Sequence, residues 1–465
     1  MPDKMNVLVI SSDSFRRDNL TVHGGTGIHT PNLDALARQS AVFEQAYAGS
    51  YPTIPNRTDI FLGTWTFPNY DWAPLDRDVP TLAEVLADAG VATHLEIDCP
   101  HMVQLGSFFE RGFHSWNWVR GQENDPLPPW PLAESMKPPG VMEKYRLPIT
   151  AMKRHMASRI VRKRLRDEDY SMAVVARNTV EMLRHLRSAK QFFLWVDMFD
   201  PHEPFDPPRH YFDLYYPGYK GVVYEIPVYG PCDCYTPSEL KAIRSAYLGE
   251  ATMVDHWIGF VLGSLEELGL EENTTVVFTS DHGLAYGDHG QTGKNISPMF
   301  ANIARIPLLV STPQMRAKGR SKRATQLVQP VDLMPTILDV MGVKRPKGWQ
   351  GDGVSLAPLL KGRSGRTRDI AVTGSYPSNA HPLRPGGHLR ISTRKWALIY
   401  PPEIQGERKP PMLFDLAADP GETRNVIAKR RRVAQGLYMK YVAFHRHYSR
   451  QGGDVPLPAP GTFFD

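Results

Sequence analysis

The fold and the chemistry are both indicated by one stretch, Val276-Val277-Phe278-Thr279-Ser280-Asp281-His282-Gly283. Its first part is apolar and β-branched, as expected of a buried strand. An aspartate and a histidine follow, and Gly283 allows a tight turn of the backbone. A carboxylate beside an imidazole at a strand end suits a bound cation. A purely structural Asp-His pair in a turn is the alternative interpretation of this stretch when it is considered alone.

Two further segments carry polar groups where a predicted strand ends. They are Ser12-Asp13-Ser14 and Pro52-Thr53-Ile54-Pro55-Asn56-Arg57. A single aspartate at such a place is weak support for a site, because aspartate often caps a turn. The three segments together supply oxygen ligands, an imidazole, a hydroxyl and a guanidinium. That set can hold a divalent cation and attack a tetrahedral anion such as a phosphate or sulfate ester.

Strand and helix patterns alternate along the chain, which predicts an α/β fold with a mostly parallel sheet. Strands are predicted over 6–10, 92–97, 192–197, 275–279 and 306–310. Helices are predicted over 30–37, 81–90, 171–186 and 237–268, the last as one helix or two. Ligands in such folds gather at the carboxyl ends of the strands. The residues just past Ile10, Val196 and Phe278 are among the candidates.

Composition and charge place few limits on function. The chain has 465 residues, of which 42% are hydrophobic and 22% charged, as in ordinary globular proteins. A net charge of +5 over this length does not favour nucleic acid as a partner, but it is compatible with a small anionic substrate. Three cysteines give no disulfide framework, and neither a signal peptide nor a transmembrane run is found. We therefore expect a cytoplasmic protein without a membrane partner, and we leave open a homo-oligomer.

The sequence pattern changes after residue 365, which predicts a catalytic domain over 1–365 and a small C-terminal subdomain over 366–465. Residues 99–165 and 200–236 lack clear periodicity, so we expect two insertions that build the substrate pocket. The basic run over 153–166 favours a solvated helix face over an anion site. In the subdomain, 394–400 and 411–416 predict two antiparallel strands, followed by a helix over 424–445.

Two more segments add polar groups that suit ester chemistry. Asp200-Pro201-His202-Glu203-Pro204 holds a histidine between two prolines, with a simple surface turn as the alternative. Gly287-Asp288-His289-Gly290 and then Lys294 follow the Asp-His pair. Lys294 is a cation thirteen residues beyond Asp281.

In this order, the motifs resemble the sulfatase family of the alkaline phosphatase superfamily. The overall sequence pattern is similar to that of bacterial arylsulfatases and phosphonate monoester hydrolases. The resemblance covers nearly the whole chain and is carried by Asp13 with Arg16 and Asp18, the segments 30–37, 46–57, 78–82, 200–204, 279–290 with Lys294, 355–361 and 414–422. It implies an alkaline-phosphatase-like sheet sandwiched by helices, with a small α+β subdomain at the C-terminus.

The resemblance also implies roles for individual residues. One divalent cation, Ca²⁺, Mn²⁺, Mg²⁺ or Zn²⁺, is expected among Asp13, Asp281, His282 and the Thr53 hydroxyl. Arg57 and Lys294 are expected to hold the nucleophile and the anionic oxygens, and His202 to protonate the leaving group. Three residues, Asp98, His101 and His289, are expected to contribute to substrate binding.

Two positions depart from the family pattern. Ser14 stands where a second acidic ligand often follows the first aspartate. Thr53 stands where sulfatases carry a cysteine or serine that is oxidised to formylglycine. A formylglycine hydrate attacks sulfur with one hydroxyl and expels sulfate with the other, whereas threonine has one hydroxyl. Its covalent intermediate must be opened by water, which is ordinary chemistry at phosphorus.

The sequence therefore favours a metal-dependent hydrolase of phosphodiesters or phosphonate monoesters with Thr53 as the nucleophile. A sulfuric ester hydrolase similar to the arylsulfatases is one alternative. A relative that binds an anion without turnover is the other.

Overall fold

The computed structural model of the protein describes residues 4–294, 297–349, 351–365, 367–375, 387–404 and 407–450. The strands are β1 Asn6–Ser12, β2 Ala41–Ala46, β3 Ala92–Ile97, β4 Ser115–Trp118, β5 Phe192–Met198, β6 Gly230–Pro231, β7 Thr274–Thr279, β8 Ala285–Tyr286, β9 Gln291–Gly293, β10 Leu308–Ser311, β11 Lys322–Val328, β12 Ala371–Gly374, β13 Leu389–Ser392, β14 Trp396–Tyr400, β15 Glu403–Ile404, β16 Glu407–Arg408 and β17 Met412–Asp415. The helices are α1 Pro31–Ala37, α2 Thr53–Leu62, α3 Leu82–Asp88, α4 Trp130–Ser135, α5 Thr150–Val161, α6 Ser171–Leu186, α7 Arg209–Asp213, α8 Pro237–Glu267, α9 Ala301–Ala304, α10 Pro313–Lys318, α11 Leu333–Met341, α12 Ala357–Leu360 and α13 Arg431–Tyr448.

An eight-stranded sheet forms the centre of the protein, in the order β11-β2-β10-β7-β1-β5-β3-β4. β10 is antiparallel to both of its neighbours, and the other strands run parallel to one another. The predicted mostly parallel sheet is confirmed. β7, β1 and β5 are adjacent, so their carboxyl ends meet at one edge of the sheet.

Helices cover both faces of this sheet, because alternate side chains of its strands point in opposite directions. Val7 and Val9 of β1 belong to one apolar cluster, which includes residues of α2, α3 and α11. Leu8 and Ile10 belong to a second cluster on the other face, with residues of α1, α6 and α8. The sandwiched sheet is therefore confirmed.

The predicted helix over 237–268 is a single helix, α8. It begins at a capping box in which the Thr236 hydroxyl accepts from the Glu239 amide and the Glu239 carboxylate accepts in return. Thr81 and Glu84 form the same arrangement at the start of α3, as the sequence predicts. The box at Thr81 and Glu84 can be recognised in the sequence because its two residues are only three positions apart.

The expectation of an irregular insertion over 99–165 is partly wrong. β4 extends the central sheet at its edge, and α4 and α5 are regular helices. The basic run over 153–166 is not simply solvated, because Arg159 of α5 and Arg164 beyond its end both form ion pairs with Asp206, and Arg159 also pairs with Glu225. The sequence indicated a helix face here but not these ion pairs, because Asp206 and Glu225 lie in the other insertion.

A second, four-stranded antiparallel sheet in the order β12-β13-β14-β17 forms the C-terminal subdomain with α13. The two strands predicted over 394–400 and 411–416 are confirmed as neighbours, β14 and β17. The helix begins at Arg431 rather than at 424, since the Asp419 carboxylate holds the amides of Thr423 and Arg424 in a turn. Parts of the predicted subdomain, 366, 376–386, 405–406 and 451–465, lie outside the described residues.

Within the described ranges, none of the helices combines the length and the apolar character needed to cross a bilayer.

Candidate active site

Polar side chains converge at the carboxyl edge of the three central strands. Asp13 follows β1, Asp197 lies near the end of β5, and Asp281 and His282 follow β7. Thr53 opens α2 beside them. All five residues are buried, with at most 2% of their surface exposed. The parallel sheet thus brings together residues that are far apart in the sequence.

Asp13, Asp281 and His282 form a cluster in which one ligand atom from each lies within 4.8 Å of the others. The Oδ1 atom of Asp281 accepts hydrogen bonds from the amides of Ser14 and His282, at 3.0 and 2.8 Å. The Oδ2 atom of Asp13 is buried and accepts no hydrogen bond from the described residues. This free oxygen, with a second carboxylate and an imidazole beside it, fits a divalent cation.

The surroundings shift the pKa values of the two carboxyl groups in opposite directions. Burial and then the Asp281 carboxylate raise the pKa of Asp13 well above its usual range. Burial acts in the same direction on Asp281, but His282 and Arg57 outweigh it and lower the pKa of that carboxyl. Burial lowers the pKa of His282 to about 3, so its ring is neutral at pH 7 and able to ligate a metal.

Thr53 lies directly against this cluster. Its Oγ1 atom is 3.4 Å from Nε2 of His282. Thr53 is the first residue of α2, and no side chain caps that helix end. The N-terminal amides of a helix carry a partial positive charge that favours an anion. A hydroxyl at this position faces both the candidate cation site and the helix end.

Arg57 lies behind the carboxylates and is fully buried. Its Nε and Nη2 atoms donate to Asp197 at 3.0 and 2.7 Å, and Nη1 donates to Asp281 at 2.7 Å. Nη2 is also 3.2 Å from the free oxygen of Asp13. These contacts use the guanidinium to position carboxylates, so a direct contact from Arg57 to an ester oxygen stays a prediction.

Asp197 was missed by the sequence reasoning. It is fully buried and binds Arg57 as well as the indole nitrogen of Trp195. The signal was present, because Asp197 is the only charged residue in the apolar strand Phe192–Met198. A buried carboxylate needs a paired cation, and that requirement could have marked it.

Lys294 reaches the metal cluster through Ser14. The Lys294 ammonium donates to the Ser14 hydroxyl at 3.1 Å, and that hydroxyl donates to Asp13 at 2.8 Å. Ser14 adopts a left-handed backbone with φ of 59°, which turns its amide toward Asp281. The sequence left the role of Ser14 open, and here it links the lysine to the first aspartate.

His202 is buried and stacks on Phe199, with ring centres 4.2 Å apart. Its Nδ1 atom lies 2.6 Å from the Glu203 carbonyl oxygen, so Nδ1 carries the donated proton. Burial and then Lys294 lower the pKa of His202 well below its usual value. The Glu203 carboxylate lies 3.9 Å from the Lys294 ammonium and is held from the insertion by Arg146 at 3.0 Å.

The three residues expected to bind substrate are not members of the Asp13, Asp281 and His282 cluster. Asp98 accepts hydrogen bonds from the Phe199 amide and from Gln122, at 2.7 and 3.3 Å. His101 is hydrogen-bonded to Glu123 at 3.0 Å. His289 is exposed and stacks on Phe300, with ring centres 3.7 Å apart. Their part in substrate binding stays a prediction.

The family model described as Sulfatase matches residues 5–343. The chain belongs to the sulfatase family. A second model, described as N-sulphoglucosamine sulphohydrolase, C-terminal, matches residues 287–441. The family assignment made from the motifs is confirmed, and with it the assignment of the protein as an ester hydrolase.

Individual sulfatase-family relatives are similar over almost their whole length. The chain is 26% identical to an arylsulfatase of Clostridium perfringens, over 97% of this chain and 96% of the relative. Among solved structures, the phosphonate monoester hydrolase of Agrobacterium radiobacter has a TM-score of 0.74 at 21% identity, covering 96% of each chain. BT4656, solved with its substrate D-glucosamine-2-N,6-O-disulfate, has a TM-score of 0.70 at 18% identity, covering 96% of this chain and 98% of that one. The structural similarities confirm the fold.

Proposed function

We propose that this sulfatase-family hydrolase cleaves phosphodiesters or phosphonate monoesters with the help of one divalent cation and Thr53 as nucleophile. The observation that carries the proposal is the threonine hydroxyl 3.4 Å from His282, inside the Asp13, Asp281 and His282 cluster. A cation held by these three residues would lower the pKa of the hydroxyl and stabilise negative charge on the ester.

The charge of the site supports a monoanionic ester. When all of them are ionised, as a bound cation favours, four buried carboxylates, Asp13, Asp197, Asp281 and Glu203, face two buried cations, Arg57 and Lys294, which leaves two negative charges for the cation to balance. The adjoining Arg146–Glu123 ion pair adds no net charge. A divalent cation would bring the site to neutrality. Phosphodiesters, phosphonate monoesters and sulfate monoesters each carry one negative charge, whereas a phosphate monoester carries about two at pH 7.

Threonine chemistry favours phosphorus over sulfur among these monoanions. The Thr53 hydroxyl releases its proton to solvent, its oxygen attacks phosphorus, the bond to the leaving oxygen breaks, and His202 supplies the proton that the leaving oxygen needs. His202 is neutral before substrate binds, so it must first take up a second proton from solvent on Nε2, which a bound anion favours. Water then attacks phosphorus, the bond to Thr53 breaks, and a proton of that water passes to the Thr53 oxygen, which releases the product and regenerates the hydroxyl.

Sulfate ester hydrolysis is the second candidate, because a relative matched over 96% of its length carries the name arylsulfatase. In that case water would have to open a sulfate ester on Thr53. A protein that binds an anion without turnover is the third candidate. We also propose a cytoplasmic location and leave open a homo-oligomer.

A substrate panel separates these candidates. The purified protein, loaded in turn with Mn²⁺, Zn²⁺, Ca²⁺ or Mg²⁺, is assayed on p-nitrophenyl sulfate, p-nitrophenyl phosphate, bis-p-nitrophenyl phosphate and p-nitrophenyl phenylphosphonate. We expect the two monoanionic phosphorus esters to be the best substrates. Preference for the sulfate would overturn the choice of phosphorus. Activity on none of them, with metal bound, would support the anion-binding protein.

A further inference from the structure

The Tyr51 side chain has an unexplained polar group. The residue is 1% exposed, and its hydroxyl has no hydrogen-bond partner among the described residues. A phenylalanine would fill the same space without that hydroxyl. Leaving a buried hydroxyl unpaired costs free energy comparable to a lost hydrogen bond. None of the described residues supplies a partner for this hydroxyl, and a bound ligand would.

Tyr51 lies at the candidate active site. It precedes Thr53 by two residues, and its ring meets the ring of His282 edge-on, with centres 5.2 Å apart. A tyrosine hydroxyl keeps its proton at neutral pH, because its ordinary pKa is about 10, so it can donate a hydrogen bond at this site.

The C-terminal subdomain fixes the position of this ring. The Tyr51 amide donates to the Gly374 carbonyl of β12 at 2.8 Å, and the ring meets that of His388 at 5.2 Å. The ring also belongs to an apolar cluster with Met299, Phe300, Ile303, Ile399 and Phe414. A ring held on several sides cannot turn its hydroxyl toward another protein partner without repacking.

We propose that the Tyr51 hydroxyl donates a hydrogen bond to a non-bridging oxygen of the anionic ester bound beside Thr53. The proposal rests on the proposed function, because it takes the anion to lie at the metal cluster. Arg57 is occupied by carboxylates on all three of its nitrogen atoms. Tyr51 thus adds a neutral donor to the charged donor Lys294, which suits an ester of single negative charge. The C-terminal subdomain takes part in substrate recognition through this contact.

Tyr51→Phe tests the contact, because it removes one oxygen and keeps the ring. The probe is inorganic phosphate, titrated calorimetrically into the metal-loaded protein. We expect about tenfold weaker binding, the loss of one hydrogen bond to a charged ligand. Tyr145→Phe is the matched control, since Tyr145 is equally buried but its hydroxyl donates to the Pro139 carbonyl in the insertion. The control is expected to bind phosphate like the wild type.

The outcome is separable from the fate of the proposed function, because ester hydrolysis is measured on the same samples. Tyr51→Phe could bind phosphate more weakly while the wild type hydrolyses none of the esters. That result would support the hydrogen bond from Tyr51 and overturn the proposed hydrolase function. The wild type could instead hydrolyse the ester while Tyr51→Phe binds phosphate within twofold of the wild-type affinity. That result would overturn the hydrogen bond from Tyr51 and leave the proposed hydrolase function intact. That second result would mean that the hydroxyl contacts only a buried water. Absence of phosphate binding by the wild type would also overturn the Tyr51 contact.

Discussion

Arg57 and Asp197 form a two-point ion pair at the centre of the protein, with Nε and Nη2 at 3.0 and 2.7 Å from the two carboxylate oxygens. Neither side chain has any exposed surface. The remaining nitrogen of Arg57 holds Asp281 at 2.7 Å. Asp197 therefore fixes the guanidinium that in turn fixes a candidate metal ligand, without itself belonging to the cluster of ligand atoms.

Asp197→Asn should lower both stability and metal affinity. The amide cannot neutralise Arg57, and breaking a buried ion pair costs about 3–5 kcal/mol. Urea unfolding and calorimetric metal titration measure the two effects. Asp213→Asn is the matched control, because Asp213 forms an exposed pair with Arg209 at 2.6 Å, and surface pairs contribute at most about 1 kcal/mol. Equal losses in the two variants would contradict the role given to Asp197.

Asp281→Ala should abolish metal binding and ester hydrolysis together. The substitution removes one carboxylate of the candidate site and the acceptor for the Ser14 and His282 amides. Metal content by mass spectrometry and initial rates on the preferred ester are measured on the same preparation. Metal bound at wild-type affinity, or full activity after the metal has been stripped from the variant, would exclude the site.

The sequence predicted what depends on neighbours along the chain and missed what depends on folding. Asp13 and Asp281 were recognisable because each directly follows an apolar strand, and strand ends meet in a parallel sheet. Asp197 lies inside such a strand, and its partner Arg57 is 140 positions away in the sequence, so no local pattern gave its role. The contact between Arg146 and Glu203 joins two insertions through residues that are 57 positions apart, and neither insertion has a period that predicts their packing. Fold class needs only the alternation of elements, whereas these contacts need the path of each loop.

His23 should make stability depend on pH in the weakly acidic range. Both ring nitrogens lack hydrogen-bond partners among the residues that the structure describes, and partial burial, followed by the charge of Arg17 and Arg305, lowers the pKa of His23 to about 2. In the unfolded chain the pKa is about 6.5. Below pH 6.5 the unfolded state therefore binds a proton that the folded state does not bind, and the free energy of unfolding falls as the pH drops. The loss between pH 7 and pH 5 is about 2 kcal/mol from this residue.

The pH effect is measured by urea unfolding of the wild type and of His23→Gln at pH 5 and pH 7. Other groups also titrate in this range, so the informative quantity is the difference between the two proteins in their loss of stability. His185→Gln is the control, since His185 is largely exposed. If His23→Gln lost as much stability as the wild type on acidification, His23 would not be the buried neutral group.

Thr53 and His202 should respond differently to the leaving group of the ester. Thr53→Ala removes the proposed attacking oxygen, so hydrolysis of good and poor leaving groups should fall alike. His202→Ala removes only the proton donor, which a p-nitrophenolate leaving group hardly needs. The rate of hydrolysis of an alkyl ester of the same acid should therefore fall far more than that of the p-nitrophenyl ester. Loss of a general acid costs about a hundredfold to ten-thousandfold. Initial rates are measured on a series of esters that differ only in leaving-group pKa. The logarithm of the rate plotted against that pKa gives one slope for each variant.

The covalent step has its own measurement, mass spectrometry of the intact protein. Unmodified threonine is expected at position 53, and a brief incubation with the preferred ester followed by acid should trap an adduct of phosphoryl or phosphonyl mass on it. Thr53→Ser keeps a hydroxyl in the same place and should retain both the adduct and part of the rate, whereas Thr53→Ala should lose both. If Thr53→Ala kept most of the wild-type rate, attack by this hydroxyl would be excluded. The preference for phosphorus over sulfur, which depends on how the threonine ester is opened, would be excluded with it.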